Sequence, residues 1–114
     1  IADMNIETAQ ATANEIAETY GVGTLAVKVN VADEQQIQDM VKATVDKFGT
    51  VDILINNAGI CPLKKPFEEV TTEEWHRTIE VNLMGTVNCT KAVIPMMKEK
   101  NMEELSALRL WQDN

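Results

Sequence analysis

Apolar residues recur along this chain with two alternating periods. Ile6, Ala9, Ala13, Ile16, Ala17 and Tyr20 are spaced by three and four, which is one face of a helix. Asn5 precedes them as an N-cap, and Gly21 and Gly23 close the helix. Leu25, Val27, Val29 and Val31 then alternate with smaller or polar residues, so a strand is predicted over 25–31. Asp33 and Gln36 predict a capping box. The helix behind it should bury Ile37, Met40, Val41, Val45 and Phe48 and stop at Gly49. Val51, Ile53, Leu54 and Ile55 make a short apolar run, mostly β-branched, of the kind found in strands covered on both faces. Thr71 and Glu74 predict a second capping box. A long helix should follow over 72–97. Trp75, Ile79, Leu83, Val87, Ala92, Val93 and Ile94 give it more than one apolar face, and Pro95 should kink or shorten its end. Residues 1–3 read as the last residues of a further strand.

Strand, helix, strand, helix, strand, helix is the order of right-handed βαβ units. It predicts the α/β class, with a doubly wound parallel sheet. At 114 residues there is room for one modest domain. Hydrophobic residues at 45% and charged residues at 25% are ordinary for a globular chain and too apolar for a disordered one. A formal charge of -8 argues against a nucleic-acid or anionic-membrane surface, because phosphate contacts need Lys and Arg. No apolar run approaches a membrane span, and no signal peptide is expected. Cys61 and Cys89 match no metal spacing, so packing thiols in a reducing, cytoplasmic setting are expected.

The candidate chemistry gathers at strand ends. Asn56-Asn57-Ala58-Gly59 ends the Val51 run with two amides, one methyl and one bare backbone unit. Small residues at the carboxyl end of a parallel strand let a flat ligand approach the backbone. An ordinary turn is the competing reading, since Asn and Gly are common turn formers. Asp3 either accepts hydrogen bonds from a ligand or caps the first helix. Asn30 either meets a ligand edge or satisfies strand-end backbone. Asn82 sits mid-helix, where Asn is a poor helix former, and it either faces solvent or has work to do. His76, beside Glu73, Arg77 and Glu80, reads as a solvated helix residue. Glu68, Glu69, Glu73 and Glu74 read as a solvated acidic rim.

In order and spacing these features resemble the short-chain dehydrogenase/reductase family over roughly residues 1–100. Asn-Asn-Ala-Gly is the loop after that family's fourth strand. Glu74-Trp75 with Val81-Asn82 resembles the helix of its catalytic asparagine. Asp3-Met4-Asn5 resembles its NAD-preferring second strand, and Lys28-Val29-Asn30-Val31 with Asp33 its third. The resemblance implies a partial Rossmann-like sheet and hydride transfer between a nicotinamide and a small alcohol or ketone. It implies Asn82 as a catalytic residue whose backbone carbonyl holds a water of a proton relay. Asp3, Asn30, Val31, Asn57, Ala58 and Gly59 are its implied cofactor contacts. Asp3 would accept from both ribose hydroxyls and repel a 2′-phosphate, favouring NAD over NADP. Asn56 is expected to hold a neighbouring strand. Through helix 72–97 the resemblance implies a possible homo-oligomer.

The departures matter equally. The family's glycine-rich phosphate turn and its catalytic Ser and Tyr-x-x-x-Lys are not among these residues, so the chain is expected to be a piece of a longer protein, inactive alone. A non-catalytic fragment or assembly module is the alternative reading, and an unrelated nucleotide-binding α/β domain a third. Substrate is not legible; residues 60–67 offer one partly apolar wall. The tail 101–114 does not read as the expected next strand, although Met102, Leu105, Leu108 and Leu110 permit a short amphipathic helix. With permitted codons it converts, two bases later, into an apolar strand ending in Ser. A frameshift is therefore expected, and sequencing the encoding DNA tests it.

Overall fold

A computed structural model of the chain describes residues 1–61 and 65–100. The tail 101–114, with both readings of it, and Pro62, Leu63 and Lys64 lie outside the described residues. β1 (Ala2–Asp3) and β2 (Val27–Lys28) pair in parallel, with Ala2 opposite Val27 and Asp3 opposite Lys28. Single bonds prolong the ladder. The Val27 N–H donates to the Ile1 carbonyl and the Val29 N–H to the Asp3 carbonyl, each at 2.9 Å. The strand predicted over 25–31 is thus paired only where residues 1–3 stand opposite it.

α1 (Ile6–Tyr20) makes the crossover between the two strands. Asn5 caps it by accepting the Thr8 N–H at 3.1 Å. Gly21 ends it at φ 64, a left-handed conformation that side chains disfavour. Ala9 and Ala13 are the buried positions, and their small size lets the helix approach the sheet closely. The ends of the expected stripe, Ile6 and Tyr20, are exposed. α2 (Glu34–Phe48) is capped by Asp33, which accepts the N–H groups of Gln35 and Gln36. The reciprocal half of the expected capping box is diverted. Gln36 Oε1 accepts the Asn30 N–H at 2.8 Å, and Gln36 Nε2 donates to Asp33 Oδ2 at 3.0 Å. Ile37 and Val41 are buried as expected, whereas Phe48 lies half-exposed at the helix end.

The predicted strand at Val51 differs most from expectation. Residues 51–55 carry no ladder; Asn56 alone forms a bridge. A strand exists only through its neighbours, and here a side chain takes their place. The Val51 N–H donates to Met96 Sδ at 3.2 Å. Leu54 turns inward to the core, while Ile53 and Ile55 are each 62% exposed.

α3 (Thr72–Ile79), a π-helical turn (Glu80–Met84) and α4 (Gly85–Glu99) form one continuous helical run. Its start is a complete capping box. Thr71 Oγ1 accepts the Glu74 N–H at 3.2 Å, and Glu74 Oε2 accepts the Thr71 N–H at 2.9 Å. Pro95 lies inside α4 without ending it. It falls between Val93 and Met97, both buried, whose packing offsets the lost backbone bond. The run has two apolar faces, as the sequence implies. Val81, Gly85, Cys89, Val93 and Met97 are buried at four-residue steps. Trp75, Ile79, Leu83 and Val87, also four apart, stay between 38% and 53% exposed.

α2 and α4 pack against each other, and the core lies between them and the sheet. Val29, Ile37 and Cys89 form one cluster with Val27, Val31 and Leu54 around it. Val41, Val93 and Met97 form the second, with Val45, Val51 and Met96. The molecule is α/β, mostly helical, with a small parallel sheet. No helix among the described residues is long and apolar enough to cross a membrane.

Candidate functional site

The carboxyl ends of β1 and β2 open onto a cleft of about 320 Å³. Ligands bind at such strand ends in open α/β sheets, and the volume falls at the small end of the ~300–1,000 Å³ usual for ligand pockets. All the residues expected to hold a cofactor line it: Asp3, Asn30 and Val31 on the sheet side, and Asn57, Ala58 and Gly59 on the loop. Helical residues Val81, Gly85, Thr86 and Cys89 also line it. Burial pushes the Cys89 thiol pKa upward, so it stays neutral and packs as an apolar group.

Asp3 does two things at once. Its Oδ1 accepts the Asn5 N–H at 2.8 Å, so it orders the turn into α1. The helix cap is Asn5 and not Asp3, which the sequence offered as a cap; the turn bond engages only one carboxylate oxygen of Asp3. Asn30 is held more firmly. Its Oδ1 accepts the Ala32 N–H at 3.0 Å, its own N–H donates to Gln36, and its carbonyl accepts the Asp33 N–H at 2.9 Å. The anticipated backbone-satisfying amide is therefore present, and it stands on the cleft wall.

Asn82 is neither solvent-facing nor slack. It lies in the π-helical turn, and such turns collect at functional sites. Its side chain grips one residue of the loop twice: Nδ2 donates to the Ile60 carbonyl and Oδ1 accepts the Ile60 N–H, both at 2.7 Å. The backbone carbonyl of Asn82 accepts from Thr86 Oγ1 at 3.4 Å. The side chain of Asn56 is tied to the same helical run, while its backbone forms the single bridge. It is buried, and its Nδ2 donates to Thr90 Oγ1 at 3.2 Å. The Asn-Asn-Ala-Gly loop thus hangs from the helix at both ends. At Gly59 a Cβ would meet Asn82 Oδ1 at 3.5 Å, an ordinary contact, so neither backbone nor neighbours demand glycine there. His76 is exposed, as anticipated.

Ile60, Gly85, Thr86 and Thr90 were not singled out by sequence, and Gln36 was singled out only as half of a capping box. Gly85 had a signal: an isolated glycine inside a helical pattern usually has a packing reason. Here a Cβ would fall 2.6 Å from Val31 Cγ2. Ile60 and Thr90 make bonds to residues more than twenty positions away, which no local pattern reveals. Among the described residues no group of three or more metal-ligating side chains comes together.

The family model for short chain dehydrogenases matches residues 1–103. The chain belongs to that family. It is 38% identical over 89 residues to the 3-oxoacyl-[acyl-carrier-protein] reductase FabG of Staphylococcus epidermidis, covering 78% of this chain and 36% of that one. To the uncharacterized oxidoreductase YuxG of Bacillus subtilis it is 35% identical over 102 residues, 89% of this chain and 15% of YuxG. The chain therefore spans less than half the length of these curated relatives. Among solved structures, the 3-ketoacyl-(acyl-carrier-protein) reductase of Brucella melitensis complexed with NADH superposes with a TM-score of 0.81 at 37% identity, over 90% of this chain and 42% of that one. These neighbours are Rossmann-fold short-chain reductases, so the small parallel sheet of this chain is part of that fold. The match excludes the reading as an unrelated nucleotide-binding domain.

Proposed function

We propose that these residues form the nucleoside-binding part of an NAD-dependent oxidoreductase that moves a hydride between nicotinamide and a small alcohol or ketone. One observation carries the proposal. Asp3, Asn30, Val31 and Asn57 to Gly59, separate in sequence, line a single cleft, and the Asn82 clamp holds its loop in place. The donor set suits such a ligand: a carboxylate for ribose hydroxyls, amides for a base edge, and a loop without bulk. When bound, the nicotinamide would give or take the hydride.

The roles follow from the geometry. Asp3 keeps one carboxylate oxygen outside its turn bond, so it can accept from ribose, and its charge disfavours a 2′-phosphate. That supports NAD over NADP. Asn57, Ala58 and Gly59 would floor the nicotinamide side. Asn82 fixes Ile60 with its side chain, and its carbonyl, which accepts from Thr86 Oγ1 in the π-helical turn, keeps a second lone pair to hold a relay water. General acid–base work needs a further group. Tyr20, the single tyrosine, is exposed at the end of α1 and has no Lys four residues on. The 114 residues alone should therefore bind dinucleotide weakly and turn over nothing. Both cysteines are free thiols, which fits the proposed cytoplasmic setting.

Calorimetric titration with NAD and NADP, with a turnover assay on simple alcohols, tests this. Weak binding of NAD, weaker still of NADP, and no turnover are expected. Micromolar affinity would overturn the expected weak binding, and turnover would show that these residues suffice as a catalyst. Indifference to the 2′-phosphate would remove the role of Asp3.

The reading as an assembly module has its own support. The exposed ridge of Trp75, Ile79, Leu83 and Val87 runs along one helical run. Glu73, Glu74 and Glu80 lie in its first half, and Lys91 and Lys98 in its second. Two copies packed antiparallel would match ridge to ridge and acid to base. Sedimentation equilibrium should then show a dimer that Leu83→Glu converts to monomer; a wild-type monomer at high concentration excludes this.

A further inference from the structure

Away from the cofactor cleft, α2 and α4 border a second pocket of about 140 Å³, which shares no lining residue with the cleft. Glu34, Ile37 and Gln38, three and four apart on one face of α2, stand on one side of it; Asn88 and Lys91, three apart on α4, stand on the other. Ile37 and Asn88 are its buried part, 1% and 8% exposed, and Glu34, Gln38 and Lys91 are exposed around them. Packing gives no reason for an amide at Asn88. Cys89 beside it and Ile37 across the pocket are core residues, and Asn is a poor helix former. Its side chain makes no hydrogen bond among the described residues. A buried amide without a partner is destabilising, so a polar occupant of this pocket is favoured. Glu34 and Lys91 bring opposite charges to the same space, yet neither makes an ion pair or a side-chain hydrogen bond among the described residues.

These charges select the occupant. A simple anion would gain Lys91 and meet repulsion from Glu34, and a simple cation would meet the reverse. A molecule that carries both signs gains from both. The Asn88 amide adds a donor and an acceptor on one carbon, Nδ2 and Oδ1. An α-amino acid likewise carries its carboxylate and its ammonium on one carbon, so the two groups match the amide end for end. We infer that the pocket between α2 and α4 is a binding site for a small α-amino acid zwitterion. Its carboxylate lies toward Lys91 and Asn88 Nδ2, and its ammonium toward Glu34 and Asn88 Oδ1. Ile37 supplies an apolar floor. The room is that of about five waters at ~30 Å³ each, which limits the ligand to the size of glycine or alanine. The inference is independent of the cofactor cleft, since it uses none of the cleft's residues.

The test is titration of the ¹⁵N-labelled full chain with glycine, acetate and methylammonium at fixed ionic strength. The signals to follow are the Asn88 side-chain amide and the Ile37 N–H. Glycine should shift both to saturation. Acetate and methylammonium, each with one of its two charges, should bind at least about tenfold more weakly, the worth of one charge-assisted hydrogen bond. Glu34→Gln and Lys91→Gln change exposed side chains, so the fold should persist, and each should weaken glycine about tenfold. Asn88→Leu keeps the size of the side chain and should weaken glycine about fivefold, read at Ile37. If glycine shifts neither signal, the pocket holds water alone and the inference is overturned. Acetate or methylammonium binding as well as glycine also overturns it, as does glycine binding that both Glu34→Gln and Lys91→Gln leave unchanged.

Discussion

Asn82 holds Ile60 by both polar groups of its backbone, donating to its carbonyl and accepting its N–H at 2.7 Å each. A side-chain carboxamide here does what a neighbouring strand does in a sheet. It fixes the end of the Asn-Asn-Ala-Gly loop to a helix more than twenty residues away in sequence.

Asn82→Ala should therefore free that loop. Two lost hydrogen bonds, at about 1 kcal/mol net each, predict roughly 2 kcal/mol of destabilisation in urea unfolding. The Ile60 amide should also lose hydrogen-exchange protection. An Ile60 amide that exchanges as slowly in the variant as in the wild type would contradict the clamp.

At Gly85, α4 passes close to Val31, just beyond the end of β2. An added methyl would sit 2.6 Å from Val31 Cγ2 and 3.1 Å from Val31 Cβ. Valine is stiff at χ1, so it cannot swing the methyl away freely. Gly85→Ala gains helix propensity yet should still lower stability by about 1–3 kcal/mol through overpacking. Thermal unfolding measures it, and Gly85→Ala with Val31→Ala should recover part of the loss. A melting temperature raised by Gly85→Ala alone contradicts the contact.

Glu74 ties the loop before α3 to its capping box. The Lys65 ammonium at 2.6 Å, and next the Thr71 N–H, lower its pKa from 4.5 to about 2. The folded value is below the unfolded one. Its contribution is therefore present in full above about pH 4.5 and is lost as pH falls through about 2. The ion pair is open to solvent on one side, so salt should weaken the effect. A ¹³C titration of the Glu74 carboxyl should show the low midpoint, and Lys65→Met should raise it. A midpoint that Lys65→Met leaves unmoved would sink this account.

The two thiols should separate by reactivity. Cys61 is exposed; Cys89 is buried against Val29 and Ile37 with its pKa raised by burial. Since the thiolate is the reactive form, a disulfide reagent at pH 7.5 should label Cys61 quickly in the native chain. Cys89 should react only after denaturant is added. Equal rates would mean that the α4 face is not packed as described.

Local rules made most elements legible. Asn5, Asp33 and Thr71 cap the helices they precede, and Gly21 and Gly49 end theirs with left-handed backbone. Caps and glycine stops depend on the four or five nearest residues, so sequence contains the whole interaction. The cofactor-side residues were legible for another reason: their motif and order resemble one family, and the structure gathers them on one cleft. The Val51 strand was not decided locally. Its residues are strand formers, but a ladder needs a partner, and here Met96 sulfur meets the first N–H instead. Phe48 failed likewise, because the helical period says which face a residue takes and not whether anything covers it.

Sequence by itself determined the helices, their caps, the α/β order and the family. Tertiary structure alone decided that Asn82 spends its side chain on Ile60, that Gln36 leaves its own capping box for Asn30, and that Gly85 must be small for Val31. The physical reason is common to all three. Each is a contact between groups six to more than fifty residues apart, and its energy depends on where the fold sets both partners, which no periodicity along the chain encodes.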